Sequence, residues 1–308
     1  MTAAAPRPIR ARPIVLLAAL AALGWAGWWI GSHGHQSGTT ARPALWHIVK
    51  GDRQAWLFGT IHAVPVGESW LSPAIADAVA HSDRLFLEVT GLDAERSTHA
   101  MFDKLGRSTG LPRVEARLGH DDARRFRDIL RRHPAELRDI DGYESWAAAL
   151  LIGSVAASDL SLSTQEAGEA VLARRFADAG KPVQGLETIA GQLGLFDRLG
   201  LTDQRLLLSE AVRDAQNSAR LYQYLHTAWA RGDLARLERE FIAPLARSPG
   251  LRHVLIDDRN RRWADIIDAD LTGRPGTAFI AVGAGHLIGK ASLQAQLAQR
   301  GWRIARIQ

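Results

Sequence analysis

The two stretches that decide the fold are LFGTIH at residues 57–62 and VGAGHL at residues 282–287, near opposite ends of the chain. Each follows or closes an apolar run typical of a buried strand and contains a Gly-x-x-His turn. A helix and a second strand are predicted after each turn. The sequence therefore predicts an α/β fold whose central sheet is built from two similar strand–Gly-x-x-His–helix–strand ends. We expect these ends to bring His62 and His286 to one pocket.

The Gly-x-x-His spacing alone is a weak signal. With 28 Gly and 11 His in 308 residues, about one such match is expected by chance, and three occur. The third ends at His253 and follows Arg-Ser-Pro instead of an apolar strand, so we take it as the chance match. The other two place an imidazole at the carboxyl end of a strand, where it can ligate a metal or act as a general base. A histidine satisfied by structural hydrogen bonds is the alternative.

The remaining pattern fills in the sheet and a long helical insertion between the two ends. A Gly-Asp turn between apolar runs predicts a hairpin over 46–58, and Ser72-Pro73 predicts a helix start. Further strands are predicted at 84–89, 181–187, 277–282 and 302–307. Helices are predicted at 72–82, 118–132, 143–158, 164–179, 203–230, 253–270 and 291–299.

Three charged residues stand out because they lie in apolar surroundings. Glu88 is in an otherwise apolar strand, where an ionised carboxylate needs a partner or a metal. Glu187 closes a second apolar run, although a helix N-terminal charge is an equally good interpretation. Arg259 is the single charge on an apolar row of the helix predicted at 253–270. It can neutralise Glu88 or Glu187, clamp a substrate carboxylate or oxyanion, or lie along the edge of the core.

Composition excludes several classes of protein. The chain has no cysteine, which rules out disulfides, thiolate nucleophiles and cysteine metal sites. The formal net charge is +5, but arginines in the first 13 residues supply much of it. The basic residues elsewhere are interspersed with acids, so we expect no nucleic-acid partner. No P-loop and no Gly-x-Gly-x-x-Gly turn after a strand indicates a nucleotide site.

The N-terminus predicts a membrane segment. Residues 1–13 form a short basic segment, and residues 14–30 are uncharged and near the lower length for a transmembrane helix. The charge asymmetry places the N-terminus in the cytoplasm and the rest in the periplasm, as a single-pass protein of the inner membrane. A cleaved signal peptide, with release to the periplasm, is the alternative. Residues 31–42 are predicted to be a linker and residues 43–308 the folded domain.

Together these motifs resemble the TraB/GumN family, which is related to the Tiki proteases of animals and, more distantly, to erythromycin-esterase-like and ChaN-like proteins. The resemblance covers residues 43–308 in family order. Its motifs are LFGTIH at 57–62, the acid of LFLE at 85–88, GLET at 185–188 with Gln192, Arg259-Asn260 with Trp263, and VGAGHL at 282–287.

The resemblance implies a hydrolase with paired Gly-x-x-His turns, a Glu and an Arg around one pocket. In the Tiki branch this resembles a metalloprotease site that uses manganese or cobalt. Carried over, His62, His286 and Glu88 are candidate ligands of Mn, Co or Zn. Glu88, Arg259 and Glu187 are candidate catalytic residues, and the substrate is a peptide or a small molecule.

Three hypotheses follow from the sequence. The first is a membrane-anchored, metal-dependent hydrolase of peptidase type. The second is a metal-independent, esterase-like hydrolase in which one histidine is the base and Glu88 orients it. The third is a non-catalytic domain that captures a peptide, haem or iron.

Overall fold

The computed structural model describes residues 41–90, 95–242 and 248–308. Among these residues, no helix is long and apolar enough to span a bilayer. The membrane segment predicted at residues 14–30 lies outside the described residues, as does most of the predicted linker. The folded domain predicted from residue 43 onward begins its first strand at Leu45.

In the described part of the chain, a six-stranded sheet has the order β6-β4-β7-β2-β1-β8, and β3 and β5 form a separate two-stranded ribbon. Neighbours among β6, β4, β7 and β2 are parallel, whereas β1 is antiparallel to both β2 and β8. The strands are β1 Leu45–Lys50, β2 Arg53–Thr60, β3 Val64–Pro65, β4 Arg84–Val89, β5 Leu162–Ser163, β6 Val183–Glu187, β7 Ala278–Gly283 and β8 Arg303–Arg306.

The predicted hairpin is confirmed, with Gly51 at φ +61° in the turn between β1 and β2. The two chain ends share the predicted order of elements, but they are not equivalent in the sheet. The strand that follows the first end, β4, pairs with β7 inside the sheet, whereas β8, after the second end, pairs with β1 at the edge. The prediction of an α/β fold is therefore confirmed, and the similarity of its two ends is limited to their sequence order.

The central strands are buried because helices cover both faces of the sheet. Every residue of β4 and β7 is buried, as their near-continuous apolar sequences predict. Along β7, alternate residues enter the two different core clusters: Phe279 packs with the helices Pro73–Ala80 and Gly168–Asp178, and Ile280 packs with the helices Asp258–Gly273 and Leu293–Gln299. A third cluster holds the helical insertion together around the helix Ser145–Ser158, whose sequence is apolar on all sides.

The helices are α1 Pro73–Ala80, α2 Glu95–Gly106, α3 His120–Arg132, α4 Ser145–Ser158, α5 Gly168–Asp178, α6 Ile189–Asp197, α7 Leu201–Ala215, α8 Ser218–Ala230, α9 Leu234–Leu237, α10 Pro249–Arg252, α11 Asp258–Gly273 and α12 Leu293–Gln299. Short 3₁₀ turns span Val114–Arg117, Ile140–Gly142 and Ala284–Leu287, and π-helical turns span Glu238–Ile242 and His253–Asp257.

Two helix predictions need correction. The helix predicted over 203–230 is two helices, because the chain leaves helical geometry at Asn217, which has φ −125°. The apolar spacing continues across this break, so the pattern alone does not reveal it. The helix predicted from residue 253 begins with a π-helical turn, and regular α-helix starts at Asp258.

Candidate functional site

The parallel strands bring the predicted site residues to one edge of the sheet. Glu88 is the penultimate residue of β4, and Glu187 is the last residue of β6. His62 lies two residues beyond β2, and His286 lies in the 3₁₀ turn that follows β7. Because β6, β4, β7 and β2 run in the same direction, their carboxyl ends meet at this edge. Arg259 reaches it from the first turn of α11.

Arg259 is the hub of the cluster, and all five of its N–H groups have an acceptor. Its Nη2 donates to Glu88 Oε2 and to Glu187 Oε1, each at 2.6 Å. Its Nε donates to Glu187 Oε2 at 3.3 Å, and its Nη1 lies 3.2 Å from the carbonyl oxygen of Leu255 and 3.0 Å from His286 Nε2. The guanidinium therefore neutralises both carboxylates, and it has no donor left for a substrate in this arrangement.

Glu88 is held in its ionised form. Burial alone raises the pKa of its carboxyl, but the Arg259 guanidinium, the two histidines and the Gly283 N–H together outweigh burial and bring the pKa to about 2. Its Oε1 accepts a hydrogen bond of 2.7 Å from the backbone N–H of Gly283. The pKa of Glu187 is raised instead, because burial outweighs its pairing with Arg259.

His286 is a neutral ring with both nitrogens engaged. The Asn260 amide nitrogen donates to the carbonyl oxygens of His286 and Ala291, so Asn260 Oδ1 is free to accept from His286 Nδ1 at 2.7 Å. This assigns the proton to Nδ1 and leaves Nε2 to accept from Arg259. Burial and the Arg259 charge lower the pKa of His286 to about 3. The Trp263 ring, at 4.4 Å between centroids, covers it.

His62 is in a different environment. Its Nδ1 lies 2.9 Å from Glu169 Oε1, and the Thr60 hydroxyl donates to the same carboxylate oxygen. Within the described part of the chain, no hydrogen bond reaches His62 Nε2. Burial alone lowers the pKa of His62, but the carboxylates of Glu169 and Glu88 raise it to about 8. The His62 side chain is 17% exposed, whereas that of His286 is 6% exposed.

Gly283 forms the floor between the two histidines. A Cβ atom built on Gly283 lies 3.0 Å from Glu88 Oε1, 3.5 Å from His62 Nε2 and 3.9 Å from His286 Cδ2. We call the space over this glycine, bounded by His62, Glu88 and His286, the Gly283 cradle. Only a residue without a side chain leaves it open.

The donor types in the cradle fit Mn, Co or Zn, but their arrangement does not. His286 Nε2 already accepts from Arg259, and both oxygens of Glu88 accept hydrogen bonds. The guanidinium thus supplies the positive charge that balances Glu88 and Glu187. Among the described residues, no three His, Asp or Glu side chains are placed to hold a metal ion. A metal held by His62, His286 and Glu88 stays a prediction of the sequence.

Sequence reasoning gave no role to two residues of this cluster, Glu169 and Asn260, although Asn260 stands in the Arg259-Asn260 motif of the family resemblance. Glu169 lies 107 positions from His62, in the first turn of α5, where an acid is ordinarily a helix-end charge. The signal that identifies it is the preceding Gly168, since a Cβ there would lie 2.7 Å from Thr60 Cγ2. Asn260 is fully buried, although its amide is polar. It lies four residues before the buried Ala264, and a polar residue on such a row is itself a signal.

The comparison with family models agrees with the family resemblance of the sequence. The family model described as TraB/PrgY/gumN family matches residues 44–306, which include every residue of the cluster. No curated protein matches the chain, and no solved structure does.

Proposed function

This chain belongs to the TraB/PrgY/gumN family, and from that premise and the pocket geometry we propose that it is a hydrolase of amide or ester bonds with His62 as its general base. One observation carries the proposal. His62 Nε2 is the ring nitrogen of the cluster that no described residue occupies, and it borders the Gly283 cradle beside an ionised carboxylate.

The proposed reaction takes place over Gly283. His62 Nε2 removes a proton from a water molecule, and the water oxygen attacks the carbonyl carbon of the substrate. The bond from that carbon to the leaving nitrogen or oxygen breaks, and His62 returns the proton to the leaving group. The products are a carboxylic acid and an amine or alcohol. Glu88 stabilises the imidazolium form of His62 during the reaction, because its negative charge faces the same cradle.

Arg259 and Glu187 act in this proposal as positioning residues. All five N–H groups of Arg259 are used inside the protein, so it is not free to clamp a substrate oxyanion. It holds Glu88 in its ionised form and keeps His286 neutral. Glu187 in turn receives two hydrogen bonds from Arg259 and fixes the plane of the guanidinium.

The test is hydrolysis by the purified full chain. A peptide library and a set of small esters are incubated with the protein, and products are detected by mass spectrometry. Peptides come first because of the Tiki resemblance. We expect the unchanged protein to cleave a substrate and His62→Ala to lose this activity. His253→Ala, which alters the third Gly-x-x-His, should keep it. Cleavage unchanged in His62→Ala would overturn the proposal, as would binding without any turnover, which supports the ligand-capture hypothesis.

A divalent-metal hydrolase is the second candidate, favoured by the two imidazoles and one carboxylate around the Gly283 cradle. A bound ion would supply Lewis acidity and a more acidic water. His286 would first have to give up its hydrogen bond from Arg259. Metal analysis of the purified protein and of His62→Ala and His286→Ala decides between the candidates. Cleavage lost in chelator and restored by Mn, Co or Zn selects the metal.

The periplasmic, membrane-anchored location is a proposal that rests on residues 1–30 alone. Cell fractionation of the full chain and of a chain without residues 1–30 tests it. We expect the full chain in the inner-membrane fraction, accessible to protease from the periplasmic side. Recovery of the full chain in the cytoplasm would contradict the proposal, and a shortened protein in the periplasm would indicate cleavage.

A further inference from the structure

We propose that Glu169 is the positioning residue of His62, holding the proton on Nδ1 so that the lone pair of Nε2 faces the Gly283 cradle. This inference rests on the proposed function for the use of the lone pair in catalysis, but the contact between His62 and Glu169 is independent of that function. Glu169 Oε1 lies 2.9 Å from His62 Nδ1, which is ordinary distance for a charge-assisted hydrogen bond.

The carboxylate of Glu169 is itself held in place. The Thr60 hydroxyl, at the end of β2, donates to the same oxygen that lies 2.9 Å from His62 Nδ1. Two donors from one strand end therefore orient one carboxylate of α5. The other oxygen, Glu169 Oε2, is buried and has no hydrogen-bond partner among the residues that the structure describes. Burying an unpaired carboxylate oxygen is unfavourable, and such atoms in native proteins call for a reason beyond stability.

The chain is shaped to allow this contact. The residue before Glu169 is Gly168, and any side chain there would clash with Thr60, since its Cβ would lie 2.7 Å from Thr60 Cγ2. Glycine at this position lets the first turn of α5 approach the end of β2. The same turn favours a negative charge through the helix dipole. The end of β2 and the first turn of α5 therefore both contribute to this contact.

The chemical consequence is a choice of tautomer. A neutral imidazole carries its proton on one nitrogen and a lone pair on the other. An ionised carboxylate beside Nδ1 accepts a hydrogen bond and cannot donate one, so it selects the Nδ1–H form. Nε2 then presents a lone pair to the cradle. Without Glu169, the ring is free to adopt the Nε2–H form, which cannot take a proton from water.

Two other histidine–carboxylate pairs of the described chain differ from this one. The pair His133 and Asp159, at 3.2 Å, has a carboxylate that is 38% exposed and shared with Arg132. His226 lies 3.6 Å from Glu68, beyond hydrogen-bond distance. Neither pair lies in the cluster around Arg259. The pair of His133 and Asp159 is thus a matched control for the loss of a carboxylate beside a histidine.

The experiment reads the His62 tautomer directly by ¹⁵N NMR of the full chain, above the pH at which the ring loses its charge. We expect Nδ1–H in the unchanged protein and in Glu169→Gln, whose amide oxygen still accepts. In Glu169→Ala we expect a shift to Nε2–H, while Asp159→Ala leaves the His62 signals unchanged. A neutral His62 in the Nε2–H form in the unchanged protein, or an Nδ1–H form that persists in Glu169→Ala, would overturn the inference.

Kinetics then separate this inference from the proposed function. We expect Glu169→Ala to lower kcat by about 10²-fold with KM nearly constant, because proton transfer is lost but binding is not. Glu169→Gln should retain more of kcat than Glu169→Ala. If the tautomer shifts as expected but the unchanged protein hydrolyses nothing, the positioning role stands and the hydrolase proposal fails. If hydrolysis occurs but kcat in Glu169→Ala is unchanged, the positioning role fails alone.

Discussion

His62 and His286 stand in the same short motif but in opposite chemical environments. His286 is 5% exposed, and both of its ring nitrogens are engaged by residues of α11. His62 is partly exposed, and one nitrogen is bound by Glu169 of α5 while the other faces the cradle. The motif therefore fixes where each ring lies, at the end of a parallel strand, and the helix packed above it fixes what the ring can do.

The difference is electrostatic as well as geometric. The guanidinium of Arg259 disfavours a second positive charge on His286 and adds to the effect of burial, so the pKa falls to about 3. The carboxylates beside His62 act in the opposite direction and raise the pKa to about 8. Near neutral pH one ring exchanges protons with water and the other does not. We conclude that two histidines in the same Gly-x-x-His motif can have different chemical roles.

Replacing each histidine with alanine tests this contrast most strongly. We expect His62→Ala to lower kcat by about 10²- to 10⁴-fold, the usual contribution of a general base, with a smaller loss of stability than His286→Ala, because Glu169 keeps the Thr60 hydroxyl as a donor. We expect His286→Ala to unfold at lower denaturant, because it leaves Asn260 Oδ1 and one Arg259 N–H without partners, at about 1–3 kcal/mol for each buried group. Kinetics and urea unfolding of both variants provide the check. The reverse pattern would contradict the assignment.

Removing the charge of Arg259 tests the origin of the contrast. Arg259→Met leaves Glu88 and Glu187 as buried carboxylates without their cationic partner, so the free energy of unfolding should fall by about 3–5 kcal/mol at neutral pH. The carboxyl pKa values should rise in this variant, so the deficit should shrink as the pH falls and the groups become neutral.

The matched control for Arg259→Met is Arg84→Met. Arg84 is a buried arginine that pairs with Asp270 at 2.6 Å, at the start of β4 and therefore at the opposite end of the sheet. We expect a loss of stability there with the His286 ring unaffected in NMR spectra. Equal perturbation of His286 in both variants would show that the effect comes from general loosening of the sheet.

The sequence predicted the α/β fold and five residues of the site for a physical reason. Apolar runs that lead into glycine turns indicate buried parallel strands, and parallel strands end at one edge, so His62, His286, Glu88 and Glu187 meet there as expected. The apolar row of the helix also identified Arg259, which proved to pair with both acids.

The partners that distinguish the two histidines could not be predicted in the same way. Glu169 comes from a helix far along the chain, and its acid at a helix start resembles ordinary capping. Local periodicity contains no information on which helix end packs over which strand end. The break between α7 and α8 was missed for a related reason, because both helices bury one continuous apolar pattern.

Filling the cradle tests whether the space between the rings matters. Gly283 has φ −51°, so alanine fits the backbone without strain. Its Cβ would lie 3.0 Å from Glu88 Oε1 and 3.5 Å from His62 Nε2. We expect Gly283→Ala to fold with near-normal stability and to lose about tenfold or more in kcat/KM, as a small misplacement at a reacting centre does. Gly119→Ala, which meets open space, is the control. Full activity in Gly283→Ala would exclude the cradle as the reaction site.

The pH dependence of hydrolysis gives the smallest but most specific test of the contrast. His62 acts as a base only when it is deprotonated, so kcat/KM should rise tenfold per pH unit below about pH 8 and level off above it. The raised pKa also means that the carboxylates stabilise the folded protein most below the ordinary histidine pKa of about 6.5, and that this contribution disappears as the pH rises through 8. Glu169→Gln removes one of the two negative charges beside His62, so kcat/KM should level off at a lower pH in this variant. Asp159→Ala should leave that pH unchanged. An unchanged pH profile of kcat/KM in Glu169→Gln would mean that a group other than His62 controls the activity. His62 and His286 would then be alike, because neither would take part in the reaction.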